Sequence, residues 1–137
     1  MKLLFKFKIL VSLFIVFINF SCNNKDVPDG IWSDNIKLSA KDVTLSSNTD
    51  SIIINTEGEW WWIDEITWNG NLVTFDEIDT SSKDFIIEET EFSIERKNAT
   101  EIHIKMTENE TNSEKILFIG LQAGNYFDSI IVTQSAP

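Results

Sequence analysis

The sequence predicts an all-β domain, an antiparallel sandwich or barrel, and three observations support this prediction. Short runs of β-branched and aromatic residues recur at close spacing, with polar turn residues between them. Asn69-Gly70 separates two such runs, and Asn-Gly favours a two-residue hairpin because both central residues of a type I′ turn need positive φ. No stretch keeps apolar residues at i, i+3 and i+4 over the length of a helix.

Residues 1–21 are predicted to be a lipoprotein signal peptide rather than part of the fold. Three lysines open the segment, a run of about ten mostly apolar residues covers 9–18, and Ser21 and Cys22 follow directly. A membrane span needs roughly twenty apolar residues, so this run is too short for one. The layout resembles bacterial lipoprotein signals, with Cys22 as the acylated residue that anchors the protein to the membrane. The alternative is ordinary secretion, with Cys22 as a free thiol.

The segment 22–35 is rich in Asn, Asp, Pro and Gly, and it is predicted to be a flexible tether before one domain over 36–137. Cys22 is the only cysteine, so the mature domain has no disulfide and no thiolate for metal binding or catalysis. Loss of the three lysines in 1–21 lowers the basic residues from 11 to 8 against 22 acidic ones, a net charge of −14. Such a surface repels nucleic acid and anionic lipid head groups.

Beyond the tether, the alternation of apolar and polar residues predicts the strands in order. They are 36–40, 43–46, 51–55, 59–68, 71–75, a segment starting at 85–87, 91–95, 102–106, 116–119 and 128–134. Polar loops are predicted over 76–84 and 107–114, and turns at 96–98 and 123–125. The run 116–119 is continuously apolar, which is typical of a strand covered on both faces or heavily buried.

The tryptophan-rich strand 59–68 contains four of the five tryptophans. Strict alternation away from the turn divides the side chains of the hairpin into two faces. One face is the more apolar, and we assign it to the core. Its residues are Trp60, Trp62, Ile66, Trp68, Val73 and Phe75. Asp64 interrupts that side, and a β-bulge near 63–65 would remove the conflict by reversing the residues before it. The buried side is therefore left open between Trp61 and the pair Trp60 and Trp62.

Three segments together resemble the BACON domain (Bacteroidetes-associated carbohydrate-binding, often N-terminal) and its immunoglobulin-like relatives. They are Lys37-Leu-Ser-Ala followed by Val43-Thr-Leu, the Gly-Glu-Trp-Trp-Trp-Ile run from Gly58, and Asp128-Ser-Ile-Ile-Val-Thr-Gln134. The resemblance covers roughly 36–136. It implies an immunoglobulin-like antiparallel sandwich of about seven or eight strands on a secreted or surface-anchored protein, with carbohydrate association or a spacer role. The segment 67–89 is longer than the usual connection, and no enzyme domain follows.

The sequence contains no motif that indicates catalysis, a cofactor or a metal. His103 is the only histidine and alternation places it on the polar side of its strand. There is no HExxH, Cys/His cluster or Gly-rich phosphate loop. Acidic residues crowd 76–91 without the ligand spacing or central Gly of an EF-hand, so we interpret them as a solvated loop in preference to a calcium site. We therefore expect no enzyme activity.

The three consecutive tryptophans Trp60, Trp61 and Trp62 are the candidate ligand-binding residues. Burying one tryptophan removes about 150–250 Å² from water, worth at most on the order of 4–6 kcal/mol, so most should lie in the core. Two tryptophans at i and i+2 lie about 6.7 Å apart and would form a flat platform for a sugar ring or a partner surface. The favoured interpretation is that 69–91 folds over this side and buries it.

The predicted function is a non-catalytic, lipid-anchored module of the cell envelope. We expect an outer-membrane lipoprotein, surface-exposed or facing the periplasm, that acts as a glycan-associated binding or spacer domain. The alternative is a structural or protein-partner-docking subunit of a surface complex.

Overall fold

A computed structural model describes residues 33–137, which form nine β-strands and no helix. The strands are β1 (Asp42–Leu45), β2 (Asp50–Asn55), β3 (Trp62–Trp68), β4 (Asn71–Leu72), β5 (Phe85–Glu88), β6 (Phe92–Lys97), β7 (Glu101–Met106), β8 (Lys115–Ala123) and β9 (Tyr126–Gln134). The predicted signal peptide, Cys22 and the tether as far as residue 32 lie outside the described residues. In the part that is described, no helix is long and apolar enough to cross a bilayer.

The strands form two sheets that pack as an immunoglobulin-like sandwich, which confirms the predicted fold class. One sheet has the order β1-β9-β8-β3-β4 and the other β2-β7-β6-β5. All neighbours are antiparallel except β1 and β9, which are parallel. The central order β9-β8-β3 opposite β2-β7-β6 is that of the immunoglobulin fold. The strand count exceeds the predicted seven or eight because short pieces such as the two-residue β4 are included.

The core lies between the sheets and consists mainly of isoleucine, because β-branched side chains suit the pleated inner faces of strands. Its isoleucines are Ile36, Ile54, Ile63, Ile66, Ile87, Ile94, Ile102, Ile104, Ile119 and Ile130. Trp68 of β3 and Phe92 of β6 meet across the sandwich with their ring centroids 5.3 Å apart. The alternation that predicted most of these strands therefore also predicted their inner faces.

The hairpin at Asn69-Gly70 forms as predicted. The φ angles of the two residues are 49° and 77°, as a type I′ turn requires. Trp68 lies opposite Asn71, and Thr67 opposite Leu72. The Asn69 side-chain oxygen also accepts a hydrogen bond from the Ile116 N–H at 2.9 Å, so the turn is joined to β8.

A β-bulge in β3 decides which tryptophans face the core. The β3–β8 pairing shifts between Ile63 and Glu65, so that Asp64 is the additional residue. As a result Trp61 and Ile63 are buried together with Ile66. The predicted bulge is confirmed, and the unbroken alternation that placed Trp60 and Trp62 in the core is wrong.

The loop after β4 does not cover the outward side of β3, contrary to the favoured interpretation. Val73 still donates its N–H to the Ile66 carbonyl at 2.9 Å, but the predicted strand 71–75 ends at Leu72. Side chains of Val73, Phe75 and Ile78 pack against the core. Thr80 then donates its hydroxyl to the Ile63 carbonyl at 2.9 Å. The loop therefore closes the side of the sandwich between the two sheets, where its apolar residues can be buried.

Two further local predictions are wrong. The predicted strand 36–40 is reduced to one bridge between Leu38 and Thr56, because Lys37 has a φ of 52° and interrupts the extended backbone. The predicted turn 96–98 begins two residues too early. Arg96 and Lys97 still belong to β6, and the turn covers 98–100.

Candidate binding face of the five-stranded sheet

The outward-facing side of the five-stranded sheet, here called the outer face, carries most of the exposed large apolar side chains. The strand register assigns to it Asp42, Thr44, Trp62, Glu65, Thr67, Leu72, Ile116, Phe118, Gly120, Gln122, Phe127, Ser129, Ile131 and Thr133. Asp64, the bulge residue, lies on the same side, since its Oδ1 is 2.8 Å from the position of a Cβ built on Gly120. No lysine or arginine is among these positions. The face is therefore apolar with acidic residues between and beside the apolar side chains.

Three aromatic residues, here called the aromatic strip, lie at one end of the outer face. Trp60 is 87% exposed, Phe127 is 60% exposed and Trp62 is half-buried. Trp62 pairs with Gln122, which pairs with Phe127, so the two aromatic residues lie two strands apart, about 10 Å. Trp60 precedes Trp62 by two residues, about 6.7 Å along an extended chain. The strip therefore offers separate flat apolar surfaces at spacings similar to the size of sugar rings.

A concavity of about 440 Å³ adjoins the strip at Trp60. It is lined by Asn35, Gly58, Glu59, Trp60, Ala123, Gly124 and Asn125. Two amide side chains and a carboxylate thus stand next to an exposed indole, and the Glu59 carboxylate is held by Lys83 Nζ at 3.0 Å. Gln122, between Trp62 and Phe127, is oriented by donating to the Gly124 carbonyl at 2.8 Å. These groups could form hydrogen bonds with hydroxyls of a ligand stacked on the indole.

Trp61 is not part of this surface. It is 2% exposed, and its indole N–H donates to the Gly58 carbonyl at 3.1 Å and the Thr56 hydroxyl at 3.2 Å. Of the three candidate tryptophans, Trp62 lies on the outer face, Trp60 is exposed just before β3 beside the concavity, and Trp61 lies in the core. Because Trp61 is buried, a ligand at the surface would not contact it. The prediction that Trp61 is one of the ligand-binding residues is therefore wrong for this structure.

Arg96 holds the backbone of the tryptophan run in place. Its side chain is buried, and its guanidinium lies 3.6 Å from the centroid of the Trp61 ring. It donates hydrogen bonds to the carbonyl groups of Glu59 at 2.6 Å, Trp61 at 2.8 Å, Ser82 at 3.0 Å and Ala99 at 2.9 and 3.0 Å. Burial lowers the pKa of Arg96 from its usual value, while the charges of Asp84 and Glu59 oppose this. The guanidinium thus binds the carbonyl groups on both sides of Trp60, and it connects them to the loop before β5 through Ser82 and to the 98–100 turn through Ala99.

The predicted turn at 96–98 included Arg96, so this role of Arg96 was not predicted. Phe92 and Ile94 both point into the core, so the same two-residue period places Arg96 inward. That period was the available indication. An arginine is rarely buried without a carboxylate partner, so residue type alone does not indicate this position.

The other titratable groups singled out from the sequence lie elsewhere. His103 is on the outward side of the four-stranded sheet, where its Nε2 is 2.7 Å from a Glu101 carboxylate oxygen. The acidic residues of 76–91 are all solvent-exposed, as expected for a solvated loop. Within residues 33–137, no group of three or more His, Cys, Asp or Glu side chains is arranged to bind a metal ion.

No protein-family model matches the chain, and no curated protein matches it significantly. Among solved structures, it is similar to the NMR structure of a protein from Bacteroides thetaiotaomicron, with 22% identity and a TM-score of 0.62 over 80% of this chain and 93% of that one. It also matches titin domain M7, with 12% identity and a TM-score of 0.38 over 70% of this chain and 85% of that one. The first similarity supports the fold alone.

Proposed function

We propose that this protein is a non-catalytic, lipid-anchored module of the outer membrane that binds glycans through the aromatic strip. The observation that carries the proposal is the 87% exposure of Trp60 beside a concavity lined by amide and carboxylate side chains. The resemblance of three sequence segments to the BACON domain supports the same ligand class.

The exposure of Trp60 and Phe127 is costly unless it serves binding. At about 25 cal/mol per Å², a buried tryptophan contributes on the order of 4–6 kcal/mol, which Trp60 does not contribute to the fold. Clustered exposed aromatic residues on a small domain mark a recognition surface.

Glycans fit the chemistry of this surface. A pyranose ring has faces of C–H groups that pack on an aromatic ring, and hydroxyls at its edge that need hydrogen-bond partners. The aromatic strip supplies the first, and Asn35, Glu59 and Asn125 supply the second. A surface open to the side suits an extended polysaccharide better than a small sugar.

The proposal includes no catalysis because the carboxylate that lines the concavity, that of Glu59, is already engaged. Glycosidases use two carboxyl groups facing each other across the bound sugar. Glu59 forms an ion pair with Lys83 on the edge of the concavity. Its position supports a role in binding rather than in proton transfer.

Binding is tested on glycan arrays and by affinity electrophoresis in polysaccharide gels. We expect Trp60→Ala and Phe127→Ala each to weaken binding by about tenfold or more, as for a stacking residue worth over 1 kcal/mol. Ile53→Ala is the matched control, since Ile53 is an exposed apolar residue on the opposite sheet. Unchanged unfolding midpoints show that the fold is intact. Binding to no glycan, or equal binding by Trp60→Ala, contradicts the proposal.

The anchor is tested separately at Cys22. We expect the mature protein from native membranes to carry acyl mass at Cys22, and Cys22→Ser to abolish acylation and release the protein from the membrane fraction. A mature protein that fractionates as soluble without acyl mass contradicts this part of the proposal.

A further inference from the structure

A second group of apolar side chains, here called the apolar patch, lies on the outer face away from the aromatic strip. Leu72, Phe118 and Ile131 belong to one row of registered positions across β4, β3, β8 and β9, and Ile116 follows in the next row of β8. The row Glu65, Gly120 and Ser129 separates the patch from the strip. The patch is therefore a different surface, made of different residues.

Within residues 33–137, three of the four side chains of the apolar patch are exposed, and Phe118 is half-buried. Leu72 is 71% exposed and Ile116 is 45% exposed, and Ile131 is exposed as well. The continuous apolar run 116–119 predicted a strand covered on both faces or heavily buried. In the structure Leu117 and Ile119 are buried, whereas of the outward residues Ile116 is exposed and Phe118 is half-buried. A continuous apolar run is typical of a strand covered on both faces, so the exposure of Ile116 beside Phe118 indicates a missing partner over this part of the sheet.

The charges on the outer face indicate what kind of partner would fit. Asp42 pairs in register with Ile131 at one end of the apolar row. Asp64 and Glu65 border the patch on the side of the glycine row. These three carboxylates are exposed, and none of the outward positions on the five strands is basic. The opposite sheet differs, because its outward side carries Lys97, His103 and Lys105 among its acidic residues.

We propose that the apolar patch is a docking surface for a protein partner that presents apolar side chains surrounded by lysine or arginine. Apolar contact at the centre would supply affinity, and pairing with the carboxylates would supply orientation and a fast, salt-sensitive association. A second copy of this chain would place like charges opposite each other, and an anionic bilayer would be repelled by the same carboxylates.

The dimensions of the face set the expected strength. Five strands about 4.8 Å apart and nine residues long at most form a surface roughly 19 Å by 27 Å. That is about 500 Å² for the whole outer face, of which the apolar patch is only a part, and it is already below the roughly 800 Å² that each partner buries in a standard stable complex. The interaction should therefore be reversible and of micromolar affinity.

The test uses three labelled probe peptides of equal length, with alternating Leu and Lys, alternating Leu and Glu, and alternating Ser and Lys. Fluorescence anisotropy measures their binding to the folded protein. We expect the Leu/Lys peptide to bind, the other two to bind at least tenfold more weakly, and added salt to weaken binding.

Matched variants assign the binding to the patch. The double variant Phe118→Ser with Ile131→Thr should bind the Leu/Lys peptide at least tenfold more weakly than the wild-type protein does. Ile53→Thr with Ile86→Thr, which likewise replaces two apolar residues by hydroxyl residues on the outward side of the opposite sheet, should change the binding of this peptide by less than twofold. Asp42→Asn with Glu65→Gln should reduce the salt dependence. Trp60→Ala should leave peptide binding unchanged, which separates this proposal from the glycan site.

Several outcomes overturn the proposal. Equal peptide binding by the two double variants would show that the patch is not the site, as would no binding by the wild-type protein. Sedimentation that reveals a dimer lost in the Phe118→Ser, Ile131→Thr variant would identify a second copy as the occupant. Binding to phosphatidylglycerol vesicles that is lost in the same variant would identify a lipid surface.

Discussion

Arg96 illustrates how one buried side chain can organise a surface that it does not reach. Its guanidinium bonds the carbonyl groups on both sides of Trp60 and lies against the Trp61 ring. Carbonyl oxygens are weaker partners for a cation than a carboxylate, but several of them together satisfy the planar donor fork of arginine. The exposed indole of Trp60 is thus presented by backbone that is fixed from inside.

Replacement of Arg96 by Met should lower the free energy of unfolding by about 3–5 kcal/mol. The change keeps side-chain bulk but leaves several buried carbonyl groups without donors. Arg96→Lys should recover little of the loss, since an ammonium lacks the fork geometry. Urea unfolding followed by circular dichroism measures both.

The control for Arg96 is the adjacent residue. Lys97 is half-buried on the outward side of β6 and forms an ion pair with Glu95 at 2.9 Å. Lys97→Met should change stability by less than about 1 kcal/mol. If Arg96→Met costs no more than Lys97→Met, the role assigned to the guanidinium is wrong.

At the scale of elements, the bulge in β3 gives the strand two different faces in one run. Before the bulge the odd-numbered residues Trp61 and Ile63 point inward, and after it the even-numbered Ile66 and Trp68 do so. One additional residue therefore turns Trp60 and Trp62 outward while the hairpin keeps its apolar side in the core. Asp64, which would be costly in the core, becomes the exposed bulge residue.

Two glycines next to β3 should respond differently to substitution. Gly58 precedes β3 in the chain, and Gly120 lies opposite β3 on β8. A Cβ at Gly58 would lie 2.0 Å from the Asn35 carbonyl oxygen, which is backbone, so Gly58→Ala should destabilise the fold by about 1–3 kcal/mol. A Cβ at Gly120 would lie 2.8 Å from Asp64 Oδ1, an exposed side-chain atom that can move away. Its next neighbour, Glu65 Cβ at 3.3 Å, would have to shift by only a few tenths of an ångström, so Gly120→Ala should destabilise the fold less than Gly58→Ala, by about 1 kcal/mol or less.

Thermal and urea unfolding of the two variants measure this difference. Because Gly58 also lines the concavity beside Trp60, Gly58→Ala should weaken glycan binding more than Gly120→Ala does. Equal stability losses for the two glycines would contradict the close approach of residues 35 and 58.

At the scale of the whole molecule, three of the many acidic residues have lowered pKa values. They are Asp34, Asp50 and Asp79, whose carboxylates accept hydrogen bonds from nearby backbone and hydroxyl groups. For Asp50 the main cause is the Ser51 N–H, and for Asp79 it is the Ser81 hydroxyl. For Asp34, burial raises the pKa, but hydrogen bonds from the Lys37 and Ile36 N–H groups outweigh it.

These lowered pKa values predict an acid-sensitive stability. A carboxyl group with a folded-state pKa below its unfolded value of 3.8 stabilises the fold fully above about pH 4. That stability is lost as the pH falls through the folded-state pKa. Urea midpoints measured from pH 6 to pH 2 should therefore decline below pH 4. Asp50→Asn should decline less steeply, and parallel curves for the two proteins would contradict the assignment.

Most of the secondary structure could be predicted from the sequence because it depends on local geometry. The positive φ values of Asn69 and Gly70 specify the hairpin, and the two-residue alternation along β7 and β9 specifies strands and their inner faces. Where one local choice competed with another, as at Lys37 and Arg96, the prediction was wrong.

The sequence by itself determined an all-β sandwich and a tryptophan-centred hairpin. It left open whether Trp61 or its two neighbours are buried, because the answer depends on a bulge near 63–65. Only the tertiary structure decided that choice, because the bulge is a property of the pairing between β3 and β8 rather than of β3 alone. It also decided that Ile116 is exposed and Phe118 only half-buried on the outer face, and that the loop after β4 closes the side of the sandwich. Whether a strand face is covered depends on residues distant in the chain, and no local pattern contains that information.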